Sequence, residues 1–236
     1  MTHAYPVYTI EAECQDCYKC VRHCPVKAIR VRDGHAAVIP ELCVACGKCV
    51  EVCPVKAKQV RNDTGRLKRL LAEPAPVYAS LAPSWVSEFK NVTPGQLIRA
   101  LKLLGFAGVS ETALGAQLVS AQVAGELDGG KPGLLLSSAC PTAVDYIRKY
   151  IPRLASNITP VGSPLMAHCR LLRDTFGNDI RVVFVGPCIS KKNEADRNPA
   201  LLNLAITYPE LKQLLRENKI EPERLTPEED DRFIPE

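Results

Sequence analysis

Eight of the eleven cysteines fall within the first 53 residues, in two runs of the same spacing: Cys14, Cys17, Cys20 and Cys24, then Cys43, Cys46, Cys49 and Cys53. The offset between the runs is 29 residues at every position, so the segment is an internal repeat with pseudo-two-fold symmetry. The next cysteine is Cys140, and this drop in density marks a domain boundary. No other feature limits the fold as much: the first unit must be built around whatever its thiols bind.

A cuboidal 4Fe-4S cluster needs four thiolates converging on one small cube, and Cys-x2-Cys-x2-Cys lets a tight loop supply three of them. In the bacterial run C-x2-C-x2-C-x3-C-P the fourth cysteine serves the other cluster, and Cys24-Pro25 and Cys53-Pro54 match that pattern. The spacing therefore predicts one cluster on Cys14, Cys17, Cys20 and Cys53, and a second on Cys43, Cys46, Cys49 and Cys24. Residues 1–62 resemble the bacterial two-cluster ferredoxin domain over its whole length, which implies an α+β ferredoxin-like unit whose role is one-electron transfer to a redox protein donor or acceptor. Two structural zinc sites or a pool of disulfides are the competing readings, although tetrahedral zinc favours paired Cys-x2-Cys units from separate loops. Between the halves, residues 28–32 and 35–39 alternate apolar side chains around Asp33-Gly34, a hairpin signal. The unit carries nine Lys and Arg against six Asp and Glu, a balance that favours reduced clusters and attracts acidic partners. A merely solvated surface is the alternative.

The opening residues lack a basic stretch followed by an apolar core, so no secretory signal is visible. No apolar run approaches the length of about 18 residues needed to span a bilayer. Without an export signal, cysteines are read as metal ligands or redox groups rather than disulfides. The net charge of +4 is spread along the chain, which argues against nucleic acid. The expectation is a cytoplasmic protein with no membrane insertion.

Residues 63–76 begin with turn residues, hold a short basic amphipathic piece and end in two prolines, and are read as a linker. From residue 77 to about 220, short apolar runs alternate with helical patterns, predicting a three-layer α/β domain. Val77–Ala82, Leu134–Ser138 and Val182–Val185 read as strands. Thr93-Pro94-Gly95-Gln96 and Thr207-Tyr208-Pro209-Glu210 read as capping boxes, Ser163-Pro164 as a third helix start and Gly177 as a helix stop. Residues 221–236 carry seven acidic and two basic side chains and are read as an acidic tail where the chain is cut.

Two further cysteines follow predicted strands, in Ser138-Ala139-Cys140-Pro141 and in Pro187-Cys188-Ile189-Ser190-Lys191-Lys192-Asn193-Glu194. Carboxyl ends of parallel strands are where open α/β sheets place their sites, although buried small hydrophobes are the plainer reading of isolated thiols. Together with the cysteine-rich unit, these segments resemble the iron-only hydrogenase large-subunit family. Its first active-site segment reads Thr-Ser-Cys-Cys-Pro and its second Pro-Cys-x-x-Lys-Lys-x-Glu, and Ala82-Pro83 and Gly115-Ala116 match two weaker segments. The resemblance implies a partial hydrogenase-like α/β domain in which Cys140 and Cys188 ligate a third 4Fe-4S cluster in a longer chain, with Lys191 the cation facing the cyanide of a diiron subsite.

The departures point the other way. Ala139 stands where the family has its proton-delivering thiol, Gln122 and Val123 stand where it has proton-path carboxylates, and its third segment, with two more cysteine ligands, is absent from these 236 residues. Proton relay needs titratable groups within hydrogen-bond reach. The losses resemble the sensory, hydrogenase-like branch, which implies redox or hydrogen sensing by a catalytically degenerate domain, with a downstream signalling module. The alternative is the N-terminal part of an active hydrogenase completed by further sequence or a partner subunit, and a third reading is a docking scaffold. Ser163–Arg170 looks like a helix of that branch, with His168 or Cys169 either a ligand or a satisfied helix-face residue.

Overall fold

The computed structural model describes residues 5–129 and 133–235; residues 1–4, 130–132 and 236 lie outside that description. In the first unit, strand β1 (Val7–Thr9) leads to helix α1 (Lys19–His23), a hairpin of β2 (Ile29–Arg32) and β3 (His35–Val38), helix α2 (Lys48–Glu51) and strand β4 (Lys58–Val60). β1 pairs antiparallel with β4, and β2 with β3. Asp33 and Gly34 turn the predicted hairpin at φ 50° and 76°, the left-handed pair that a two-residue connection requires.

The 29-residue repeat is written in the backbone as well as in the thiols. Left-handed residues occur at Asp16 and Ala45, at Tyr18 and Gly47, and at Lys27 and Lys56, and the helices start at Lys19 and Lys48. Five of those six residues have a Cβ, so each costs of order 1 kcal/mol unless its surroundings enforce it.

The second unit begins earlier than the sequence suggested. Residues 63–76, expected as a linker, contain helix α3 (Thr64–Leu71), whose Leu67 is fully buried. Burying that side chain contributes about 1.5–3 kcal/mol, and the buried Asp63 anchors the helix start, so the segment is packed rather than a spacer. It is followed by β5 (Val77–Leu81), α4 (Trp85–Glu88), α5 (Pro94–Leu103), β6 (Gly108–Glu111), α6 (Ala113–Asp128), α7 (Pro141–Tyr150), α8 (Pro164–Phe176), β7 (Arg181–Gly186), α9 (Ser190–Arg197), β8 (Leu204–Thr207) and α10 (Tyr208–Glu217). The sheet is parallel, in the order β6-β5-β7-β8. Tyr78 stacks on Phe176 and Ser80 bonds to His168, so α8 covers the face to which the even-numbered β5 residues point. Right-handed crossover places α5 on the opposite face, giving the three layers. Both capping boxes form, Ser163 caps α8 by accepting from the Met166 N–H, and Gly177 ends it at φ 93°.

Leu134–Ser138 does not join the sheet. It makes a single parallel bridge, Leu136 to Ile158, and none of its residues is buried. Three leucines followed by Ser-Ser-Ala-Cys-Pro offer too little buried surface to displace an edge strand, so the run lies at the surface. The acidic stretch 221–236 is also packed: the Ile234 N–H donates to the Val109 carbonyl, and Lys102 pairs with Asp231 at 3.0 Å and with Asp230 at 2.8 Å.

Candidate metal centre

Cys14, Cys17, Cys20 and Cys53 line one cavity, together with Thr9, Ala36 and Lys58. Cys14 and Cys17 come from the loop entering α1, Cys20 from that helix itself and Cys53 from the other half of the repeat, as the spacing predicts. In the second set, Cys49 lies within electrostatic reach of Cys43 and Cys46, while Cys24 and Cys43 both act on the Tyr150 hydroxyl. Among the described residues, no three His, Cys, Asp or Glu side chains close on a point as a single ion would require.

The surroundings suit anionic sulfur. The Ala28 N–H donates to Cys24 Sγ at 3.2 Å and the Ala45 N–H to Cys43 Sγ at 3.3 Å. Left-handed Lys27 precedes the first of these donors and left-handed Ala45 is the second, a backbone geometry shared with the nests found around iron-sulfur and phosphate groups. Burial pushes the Cys49 thiol up to about 12 and raises that of Cys20, so these buried positions hold a negative charge only beside a cation. One protein cation is there. Lys58 is 2% exposed and donates to the Ala36 carbonyl and Thr9 Oγ1. Burial lowers its pKa, while Cys20, Cys49, Cys14 and Cys53 oppose that. Sequence reasoning counted Lys58 as one of nine surface charges. The signal was legible: at the matching place in the first half, Cys-Pro-Val-Lys-Ala ends on Ile29 instead.

The second set lies against the α/β unit. A Cβ on Gly47 would stand 2.7 Å from Ile189 Cδ1, so the loop between Cys46 and α2 touches the residue next to Cys188. Tyr150 donates to the Leu42 carbonyl at 2.7 Å and Lys149 to the Cys43 carbonyl at 2.6 Å. Ile189 carried no signal of this contact in sequence.

Cys188 lies two residues past β7, half-buried, with Sγ 3.0 Å from Ser190 Oγ. Cys140 is exposed and sits at the N-cap of α7, outside the sheet. The segments bearing these two thiols are separated by a cavity lined by Ser138 and Pro141 on one side and Ser163 and Glu194 on the other; neither thiol lines it. Lys191 is nearly buried, with Nζ 2.5 Å from Glu194 and 3.5 Å from Ser163 Oγ. Lys192 turns the other way and is fully buried, 2.8 Å from Asp63 and 2.9 Å from Glu210. The Lys-Lys pair thus splits into a cation beside the cavity and a structural ion pair.

His168 is fully buried, with Nδ1 2.8 Å from Ser80 Oγ and Nε2 2.7 Å from Ser110 Oγ. Both ring nitrogens are satisfied, and burial pushes its pKa down to about 4. Cys169 is fully buried and its thiol is pushed up to about 12 by burial, as befits a core residue. Gly115 has a packing reason: a Cβ there would fall 2.0 Å from the Pro164 carbonyl oxygen.

Residues 75–236 match the family described as "Iron only hydrogenase large subunit, C-terminal domain", and residues 6–54 match the "4Fe-4S dicluster domain". The chain is 32% identical over 214 residues to the periplasmic Fe hydrogenase large subunit of Nitratidesulfovibrio vulgaris, covering 79% of this chain and 50% of that protein. It is 30% identical over 172 residues to iron hydrogenase 1 of Clostridium pasteurianum, covering 65% and 30%. A cytosolic Fe-S cluster assembly factor NAR1 homolog of Schizosaccharomyces japonicus is 34% identical over 108 residues, 40% of this chain and 21% of that one. Among solved structures, the FeFe-hydrogenase HydA1 of Chlamydomonas reinhardtii superposes with a TM-score of 0.62 at 26% identity, over 70% of this chain and 50% of that chain. The chain thus spans between a fifth and half of the length of these relatives.

Proposed function

Since the chain belongs to the iron-only hydrogenase large-subunit family, we propose that it is an electron-transfer protein whose ferredoxin-like unit exchanges electrons with a hydrogenase-like unit serving redox or hydrogen sensing. Cys14, Cys17, Cys20 and Cys53 hold cluster one, and Cys43, Cys46, Cys49 and Cys24 hold cluster two. When bound, these 4Fe-4S clusters supply one-electron transfer. The protein's part is to hold the thiolates, line them with N–H donors and set the distance to the second unit. The observation that carries the reading is the contact of Gly47 with Ile189, which brings the cluster-two loop against the Cys188 segment.

In the second unit, Cys140 and Cys188 supply two of the thiolates for a third cluster in a longer chain. α7 begins at Pro141, so Cys140 stands at the positive end of that helix. The carboxylate of Glu194 fixes Lys191 beside the cavity. Rapid turnover is disfavoured by Ala139, because a methyl group carries no proton. Partners are redox proteins that dock on the ferredoxin-like unit, with a signalling module downstream. The described residues contain no helix long and apolar enough to cross a membrane; we place the protein in the cytoplasm.

Anaerobic purification should give a brown protein with about eight iron, the content of two cubanes. Stoichiometric zinc without iron would overturn the assignment. In the longer protein, Cys188→Ser should remove about four further iron and spare the ferredoxin signals. Hydrogen uptake at ordinary hydrogenase rates by the matured full-length protein would replace sensing with catalysis.

A further inference from the structure

The two halves of the cysteine repeat differ in charge at a place buried in both: Ile29 in the first half and Lys58 in the second, both under a tenth exposed. An ammonium ion taken out of water needs a counter-charge, and a buried lysine normally finds a carboxylate. Among the described residues no ion pair to Asp or Glu is found for Lys58, whose hydrogen bonds are to neutral oxygens, those of Ala36 and Thr9. The strongest opposing charges at Lys58 are sulfurs: Cys20 of cluster one, then Cys49 of cluster two, then Cys14 and Cys53 of cluster one. It also lines the cluster-one cavity. Exposed Lys19, Lys27 and Lys56 are screened by water and salt, but a charge in this position is not.

We infer that Lys58 is the internal counter-ion of the iron-sulfur unit and makes its two pseudo-symmetric clusters unequal, favouring the electron on cluster one. The inference rests on the two-cluster assignment above. Each added electron makes a cluster more negative, so a fixed neighbouring cation stabilises the reduced form; because Lys58 lines the cavity of the cluster-one thiols, the effect is greater there. Cluster two, which abuts the Cys188 segment, is left the stronger reductant. An electron delivered by a low-potential redox protein, or arriving from the second unit, therefore comes to rest on the outer cluster, away from Ile189.

The test is a dithionite titration of the whole chain at controlled potential, followed by electron paramagnetic resonance. Cys17→Ser, at an exposed ligand, identifies the cluster-one signal. Lys58→Ile gives the second half of the repeat the residue already tolerated in the first. At the wild-type midpoint it should lower the reduced-to-oxidised ratio of cluster one at least tenfold, which is 59 mV for one electron, and that of cluster two by less. Lys58→Arg keeps the charge and should stay within threefold. Should the isoleucine variant lose iron, Lys58→Gln, which keeps a donor for Ala36 and Thr9, replaces it with the same expectation. Equal shifts of both clusters, or no shift in a variant holding about eight iron, would overturn the inference and leave the two-cluster reading intact. Absence of iron from the wild type would defeat that reading itself.

Discussion

At the scale of single residues, two buried basic side chains make opposite demands. His168 is kept neutral between Ser80 and Ser110, with its pKa pushed down to about 4 by burial. The unfolded chain takes up a proton near pH 6.5 and the folded one does not until about pH 4, so the unfolded state binds more protons between those values. Stability is therefore complete above pH 6.5 and falls towards pH 4, by at most about 3 kcal/mol at 1.36 kcal/mol per pH unit. Urea midpoints measured across that range should show the slope in the wild type, and His168→Gln should flatten it. Lys192 is the reverse case, a buried cation held between two carboxylates. Lys192→Met would leave Asp63 and Glu210 facing each other without their shared cation, and breaking a buried pair from one side costs about 3–5 kcal/mol. Denaturation of the variant should show a loss of that order, whereas a change below 1 kcal/mol would mean that Arg61 and Arg66, each 3.0 Å from Asp63, suffice.

Among the elements, the close approach of α6 and α8 depends on the missing side chain of Gly115. Alanine is the better helix former by about 0.5–1 kcal/mol, yet its methyl would fall 2.0 Å from the Pro164 carbonyl and 2.7 Å from His168 Cβ, both in or beside backbone. Overpacking of this kind costs about 1–3 kcal/mol, so Gly115→Ala should lower the melting temperature, and a rise would show that the helices can part freely. What the sequence disclosed about the elements follows from range. The hairpin at Asp33-Gly34, the caps at Thr93, Ser163 and Thr207 and the stop at Gly177 are set by side chains within three or four positions, and all were readable. Leu134–Ser138 was misread because a run of leucines states only that a segment is apolar, not that an edge of the sheet is open to it. Residues 63–76 were misread because the partners of that helix, Lys192, Glu210 and Glu217, lie more than a hundred residues away. At the sites, the thiols were legible from their spacing. Lys58 stood out only when the two halves of the repeat were set side by side, and Ile189 not at all, since contact across a fold is not encoded locally.

For the molecule as a whole, the question is whether the cysteine-rich unit and the α/β unit behave as one body. The seam between them is held by charge: Arg61, next to β4, reaches Asp196 on α9 at 2.8 Å and Asp63 at 3.0 Å, while Asp63 reaches Lys192 at 2.8 Å. Burial pushes the Asp63 carboxyl up, but Lys192 and Arg61 outweigh it and hold it below the ordinary carboxylate range. Around this network lie the Tyr150 and Lys149 hydrogen bonds and the Gly47 contact with Ile189. Electron exchange across the seam requires that these contacts persist, because transfer depends on a fixed gap between cluster two and the Cys188 segment. Coupling of this kind makes unfolding cooperative: bleaching of the visible sulfur-to-iron absorbance and loss of helical circular dichroism should coincide in the wild type under anaerobic guanidinium titration. Lys192→Met unties α3 and α10 from α9 without touching a thiol. The circular dichroism transition should then move to lower denaturant while the absorbance transition, governed by the clusters, lags behind it. Two transitions already separate in the wild type would mean that the units fold independently, and the fixed gap on which electron exchange depends would have no structural support.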